Sequence, residues 1–227
     1  LNDLKSNFNI KYYTLEAFSE KDQNRLLKKF WKKSLEPNFD ENFFEIFVQN
    51  LFDILRESTN KGSIDFLGVA LHTMMIALIL KATFEKFHKM NLLKIDQELQ
   101  KELKNMLELS TLYEKFVKIK CFELYCGKKI NVDLKREGGI DISELVYENL
   151  VKKCRFLSLE SLFDYNILKK ILTKKQEDKL HEFKIEILEN GERIGIINQI
   201  IDGKAHFIHR TFAEYFTADF FIKRLNN

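Results

Sequence analysis

The stretch "GIINQIIDGKAHFIHRTFAEYF", residues 195–216, decides how this chain reads. Its first part, "GIINQII" (195–201), is rich in β-branched residues and predicts a strand. Asp202-Gly203 follows. Both residue types tolerate positive φ, the requirement of a two-residue type I′ hairpin turn. "AHFIH" (205–209) then returns as the second strand. Thr211 and Glu214 match the capping box Thr-x-x-Glu at a helix start. A helix over 212–225 is expected, with Phe212, Phe216 and Phe220 along one stripe. A hairpin followed by a helix, at the end of a helical chain, predicts a winged-helix-type module.

Upstream the pattern is helical. The chain has 227 residues with 8 Gly, 1 Pro and 21 Phe, so helix breakers are scarce and aromatic packing dominates. "YYTLEAF" (12–18) alternates and predicts a short strand. Ser19 opens a helix to about Ser34, with Asp22 as its capping-box partner and Leu26, Leu27, Phe30 and Trp31 at helical spacing. Pro37 ends it. Asp40 caps a second helix carrying Phe43, Phe44, Phe47, Val48, Leu51, Phe52 and Leu55. "STNKGSIDF" (58–66) reads as a loop. The uncharged run Phe66–Leu80 predicts a helix buried on all sides, continuing to Phe84. Residues 92–106 fit helix or loop. Residues 109–129 form an amphipathic helix with Leu112, Phe116, Ile119, Phe122 and Leu124 near one side. A Gly pair at 138–139 punctuates, and helices are expected at 141–155, 156–172 and 174–187. The fold class is mainly α: a helical bundle with a short N-terminal strand, ending in a winged-helix-like module with one β-hairpin.

Several functions are disfavoured. A net charge of +3 with scattered arginines does not fit a nucleic-acid interface. The uncharged run is shorter than the roughly 20 residues of a membrane span, so no membrane is expected. Three cysteines without CxxC spacing fit a reducing compartment, the cytoplasm, rather than a disulfide framework or a zinc site. No metal ligand set is expected. Phosphate-loop, HExxH and GxSxG motifs are absent, and the carboxylates sit beside lysines, so this chain alone is not expected to be a catalyst. The first residue is Leu, as expected for a piece of a longer protein.

His209 is the one placement with a chemical rationale. It ends a strand two residues before the expected cap, where helix N–H groups and the dipole favour an anion. An imidazole N–H there suits a phosphate oxygen. A structural histidine bonded near the hairpin end fits the same position. Glu214 reads as a cap residue, and Phe212, Tyr215, Phe216 and Phe220 as core. His206 is expected exposed; His72, His88 and His181 show no partner cluster.

"FIHRTFAEYFTADFFIK" (207–223) resembles the winged-helix signature of NACHT-type NTPases of the STAND class, especially arthropod members. Three stretches agree in the same order. "YYTLEAFSEKDQNRLLKKFW" (12–31) resembles the segment leaving the ATPase core and entering the helical lid. "FLGVALHTMMIAL" (66–78) is similar to the lid's Gly-x-Pro segment and its helix, and "TLYEKFVKIKCFELYCGKK" (111–129) to the next helix. The resemblance implies the end of an NTPase core at 1–18, a small helical lid domain at 19–106, and a winged-helix domain with flanking helices at 107–227. It implies the C-terminal half of a nucleotide switch that latches an ADP-bound closed state and oligomerises on ATP exchange, in innate-immune or defence signalling. His209 matches the phosphate-sensing histidine. Gly68, Ala70 and Leu71 match the lid near the adenine. ADP or ATP with Mg²⁺ is implied only for the full-length protein, and whether that protein is an ATPase is left open. The implied partners are the upstream core, further copies of the chain on activation, and a downstream repeat domain. Ala70 departs from the pattern, standing where family members carry the Pro that packs on adenine. The Walker motifs would lie upstream of Leu1. A degenerate protein-interaction scaffold without nucleotide control is the alternative.

Overall fold

Ser19 meets Asp22 in a reciprocal cap: its Oγ accepts from the Asp22 N–H at 3.2 Å, and Asp22 Oδ2 accepts from the Ser19 N–H at 3.2 Å. That arrangement starts α1, Glu20–Leu35, in a computed structural model that describes residues 17–58, 69–90, 100, 103–106, 108–127, 142–190 and 195–226. The chain divides into two compact units, Leu1–Leu103 and Lys104–Asn227.

In the first unit, α1 ends before Pro37, as expected. Asp40 Oδ1 then accepts from the N–H groups of Asn42 (2.8 Å) and Phe43 (3.0 Å) and starts α2, Glu41–Ser58. All seven expected apolar residues of α2 are buried. Among them Phe44 and Phe47 meet Trp31 edge-on, at 6.2 Å and 5.7 Å, and the Trp31 ring stacks on Phe84 at 4.4 Å and 17°. Trp31 Nε1 donates to the Ala77 carbonyl at 2.9 Å, so the buried indole N–H is satisfied.

The apolar run forms α3, Ala70–Ile79, and a second helix follows as α4, Lys81–Met90. Two expectations are corrected here. The helix does not run unbroken to Phe84, because Leu80 takes φ −87° and ψ 0° and resets the face. Nor is it buried on all sides: Met74 is 37% exposed, since neighbouring side chains cover one side of so short a helix and not its whole circumference. The strand expected at 12–18 lies mostly outside the described residues; Ala17 and Phe18 have no regular structure. Gly68 and the Gly pair at 138–139 also lie outside the described residues, as does most of 92–102.

The second unit begins with α5, Leu109–Gly127. Its buried stripe is Leu112, Tyr113, Phe116, Val117 and Cys121, while Phe122 is 58% exposed. The expected stripe therefore drifts round the helix. Tyr113 and Val117 join Leu112 and Phe116 on the buried side, Ile119 is half-buried, and the side chain of Leu124 lies outside the described residues. Helix α6, Ile142–Leu162, is continuous through Arg155 and Phe156, where a helix boundary was expected. No Gly, Pro or cap residue interrupts it there, and Leu157 and Leu159 extend its buried face. The break comes at Phe163–Asp164, before α7, Tyr165–Ile171; α8 is Lys174–Asn190.

Strands β1, Ile197–Ile201, and β2, Lys204–Phe207, pair antiparallel, with Ile200 opposite Ala205 and a register irregularity between Ile197 and Gln199. Asp202 (φ 49°) and Gly203 (φ 75°) both lie in the left-handed region, as the hairpin reading required. Strand β2 stops at Phe207 rather than 209. Helix α9, Arg210–Leu225, follows and packs mainly on α6, where Phe220 meets Phe156 edge-on at 5.8 Å; Phe212, Phe216 and Phe220 are all buried. The molecule is thus mainly helical and ends in a hairpin and a helix.

The hairpin turn is tied to the helices by one cation. Lys184 Nζ lies 2.8 Å from Glu160 Oε1 and 3.0 Å from the Gly203 carbonyl. Both side chains are largely buried, 19% and 15% exposed. Glu160 Oε2 is buried with no hydrogen-bond partner among the described residues. Lys184→Met is expected to leave the carboxylate uncompensated and to destabilise the chain by about 2 kcal/mol. Urea unfolding followed by circular dichroism measures it. A loss under about 0.5 kcal/mol, the level of an ordinary surface change, would show that the pair does not hold the hairpin.

Candidate functional site

The chain leaves β2 with the Ile208 N–H donating to the Ile196 carbonyl at 2.8 Å. His209 follows in an extended conformation, φ −151° and ψ 144°, and is itself the N-cap of α9. Its Nδ1 accepts from the Thr211 N–H at 3.3 Å and lies 2.9 Å from Thr211 Oγ1. Its carbonyl accepts from the Phe212 N–H at 3.1 Å. The capping box expected between Thr211 and Glu214 is therefore not formed. Thr211 already lies inside the helix, and Glu214 instead accepts from Arg210 Nε at 2.9 Å on the exposed face. The helix starts earlier than expected because the imidazole can satisfy the first-turn donor itself.

This changes the chemistry available at the junction. The Thr211 and Phe212 N–H groups, expected to attract an anion, bond to His209 instead. What the half-buried imidazole offers is fixed by its own ring. A backbone N–H can only donate, so Nδ1 is the lone-pair nitrogen and the hydrogen of the neutral ring sits on Nε2.

Behind the junction lies Tyr113 of α5, 2% exposed. Burial raises its phenol pKa above the ordinary tyrosine value, and a hydrogen bond with the Thr211 side chain moderates the rise. Its ring meets Phe212 edge-on at 4.9 Å and stacks on Tyr215 at 5.0 Å.

The lid residues belong to the first unit and His209 to the second. Ala70 is the exposed first residue of α3, and Leu71 is half-buried. Val69 occupies the N-cap position with no side-chain cap bond. Gly68 lies outside the described residues. His206 is exposed, as expected.

Two features escaped the reading of the sequence. His88 Nε2 accepts from the Asp40 N–H at 2.9 Å, so this histidine helps to start α2 from 48 residues away. Its ring lies among Phe39, Phe43 and Phe84. The second is a cleft of about 870 Å³ between α5, α6 and α9. Arg155 Nε and Asp219 Oδ2 close one part of it at 2.6 Å. Lys118 lies 4.9 Å from the Tyr147 ring centroid and 3.0 Å from Glu114. Burial, then nearby carboxylates, push the Tyr215 phenol up to about 12; burial, then the neighbouring Tyr215 phenol, push Tyr147 higher still. Helical spacing at 215 and 219 was visible in the sequence; the pairing of α5, α6 and α9 that makes a cleft of it was not. Lys118 pairs with Glu114 and Arg155 with Asp219, so two of its carboxylates are met from within the chain.

Among the described residues no group of three or more His, Cys, Asp or Glu side chains is placed to hold a metal. No helix among them is long and apolar enough to cross a membrane. Comparison with protein-family models, with curated proteins and with solved structures finds no match.

Proposed function

We propose that this chain is the lid-and-latch half of a NACHT-type nucleotide switch, acting in the cytoplasm in defence signalling. Four stretches in family order support the reading. The observation that carries it is the junction itself: His209 sits at a hairpin-to-helix turn with its Nδ1 engaged and its Nε2 bearing the hydrogen. Such a ring suits an oxyanion acceptor. It fits the phosphate-sensing role as one donor, and in this reading the Mg²⁺ cradle belongs to the upstream core. A bound nucleotide supplies the phosphate oxygens. His209 donates to one of them and so favours the closed arrangement through a contact that the open one lacks. Ala70 and Leu71 face the base in this reading, with Ala70 lacking the fixed ring of the family's Pro. Release of the latch exposes a surface for further copies of the chain.

A hydrogen bond of this kind contributes about 1.5–3 kcal/mol. His209→Ala in the full-length protein is expected to lower ADP retention and raise spontaneous oligomerisation about ten- to hundred-fold. Nucleotide content by chromatography and mass by light scattering read both. Unchanged retention with unchanged assembly removes His209 from the mechanism. The scaffold reading draws on Ala70 alone, and failure of the full-length protein to bind ADP would favour it.

A further inference from the structure

Helix α7 presents an outward arc of exposed residues, Tyr165, Asn166, Ile167, Lys169 and Lys170, around the buried Leu168. Tyr165 is 66% exposed and Ile167 44%. Two further exposed cations, Lys174 and Lys175, open α8. The surface continues onto the end of α9. Phe163, just before α7, meets Phe221 edge-on at 6.4 Å, both rings half-buried, and Arg224 donates to the Ile171 carbonyl at 2.5 Å. The exposed Leu225 lies one turn beyond Phe221 on the same helical row.

Two features set this surface apart. Elsewhere the chain meets its lysines with carboxylates: Lys28, Lys118, Lys120, Lys153 and Lys184 each pair with a glutamate. Among the described residues Lys170, Lys174 and Lys175 have no such partner. The carboxylates on the same stretch, Asp164, Glu177 and Asp178, leave a basic excess. The second feature is apolar surface beside those charges, with Lys169 Nζ 4.5 Å from the Tyr165 ring centroid. Exposed lysines alone are ordinary solvated surface, and so is a single exposed isoleucine. Both together on one short helix are the pattern of a segment that lies at an interface.

We infer that this face, α7 with the first turn of α8 and the last turn of α9, docks on an anionic lipid surface. Tyr165 and Ile167 enter the headgroup layer, and the lysine stems lie alongside with their ammonium groups at the phosphates. The cations are mostly lysines, which meet headgroups as point charges on flexible stems; a protein partner more often meets arginine. The run lengths that argue against a membrane span do not bear on a face that lies on the surface. Nor does the inference rest on the nucleotide reading.

Co-sedimentation of the 227-residue chain with vesicles tests it. The chain is expected to bind phosphatidylcholine vesicles containing about 30% phosphatidylserine and to ignore pure phosphatidylcholine. Each lysine near an anionic surface contributes roughly fivefold, so Lys170→Glu, Lys174→Glu and Lys175→Glu together should weaken binding at least about hundredfold. Tyr165→Ser with Ile167→Ser should weaken it about tenfold at unchanged charge. Lys21→Glu, Lys29→Glu and Lys33→Glu, at exposed positions of α1, change the net charge equally and should have little effect. All the substituted residues are exposed, and circular dichroism checks that each variant folds. Absence of binding to the anionic vesicles overturns the inference. An equal loss in the α1 variant overturns it too, because net charge alone would then explain the attraction. Full binding by either the lysine variant or the Tyr165 and Ile167 variant overturns the placement on this face. A chain that ignores vesicles and captures polyglutamate has an acidic protein partner instead, and the lipid assignment falls.

Discussion

Replacing Trp31 by alanine is expected to cost the first unit about 4–5 kcal/mol, enough to unfold most single domains of ordinary stability. Two losses add. The ring is fully buried and its stacking on Phe84 holds α1 against α4. Its removal opens a cavity where Phe44, Phe47 and Phe84 converge. The Ala77 carbonyl also loses the indole N–H that reaches it at 2.9 Å. Trp31→Phe separates the two, keeping a ring and losing the donor, and should cost about half as much. Trp31 is the single tryptophan, so the unfolding is followed by far-ultraviolet circular dichroism in urea rather than by fluorescence. A shift of less than about 1 kcal/mol for the alanine variant would mean that the helices pack through other contacts.

Phe212→Ala should destabilise the second unit by about 3–5 kcal/mol. The ring is wholly buried and stands between Tyr113 at 4.9 Å and Phe116 at 5.6 Å, so it is the main apolar link from α9 to α5. A cavity there also frees Tyr113, whose ring Phe212 meets edge-on. Phe212→Leu fills much of the space and should cost roughly a third as much. Differential scanning calorimetry separates the result from the Trp31 series, because the substituted residue lies in the other unit. Equal stability of the Ala and Leu variants would contradict the packing account.

Much of the fold was legible because the signals were local. Ser19 with Asp22, Asp40 before α2, Pro37, and Asp202-Gly203 each act within a few residues, and each behaves as read. The aromatic stripe of α9 was also legible, since Phe212, Phe216 and Phe220 recur at helical spacing whatever they pack against. The cap of α9 was misread because Thr-x-x-Glu is a pattern of types, and histidine is not among the usual cap residues. Only the path of the chain out of β2 shows that His209 arrives first. The continuity of α6 was missed for the opposite reason: no local signal marks a boundary at Arg155, and one was placed there nonetheless.

For the candidate site the division is sharper. His209 could be singled out by position, between a strand and a helix. Its role as the N-cap of α9 could not, because that depends on where the chain leaves β2. The cleft beside Tyr147 and Tyr215 likewise exists only once α5, α6 and α9 are packed.

The sequence by itself determined the helices, the hairpin turn and most of the caps, since steric limits and hydrogen bonds between near neighbours act before any tertiary contact forms. The tertiary structure decided which faces were buried, where α6 ended, and that His88 reaches the Asp40 N–H from 48 residues away. Those outcomes depend on burial against distant partners, and a buried polar atom takes its role from whichever donor or acceptor the packing places beside it.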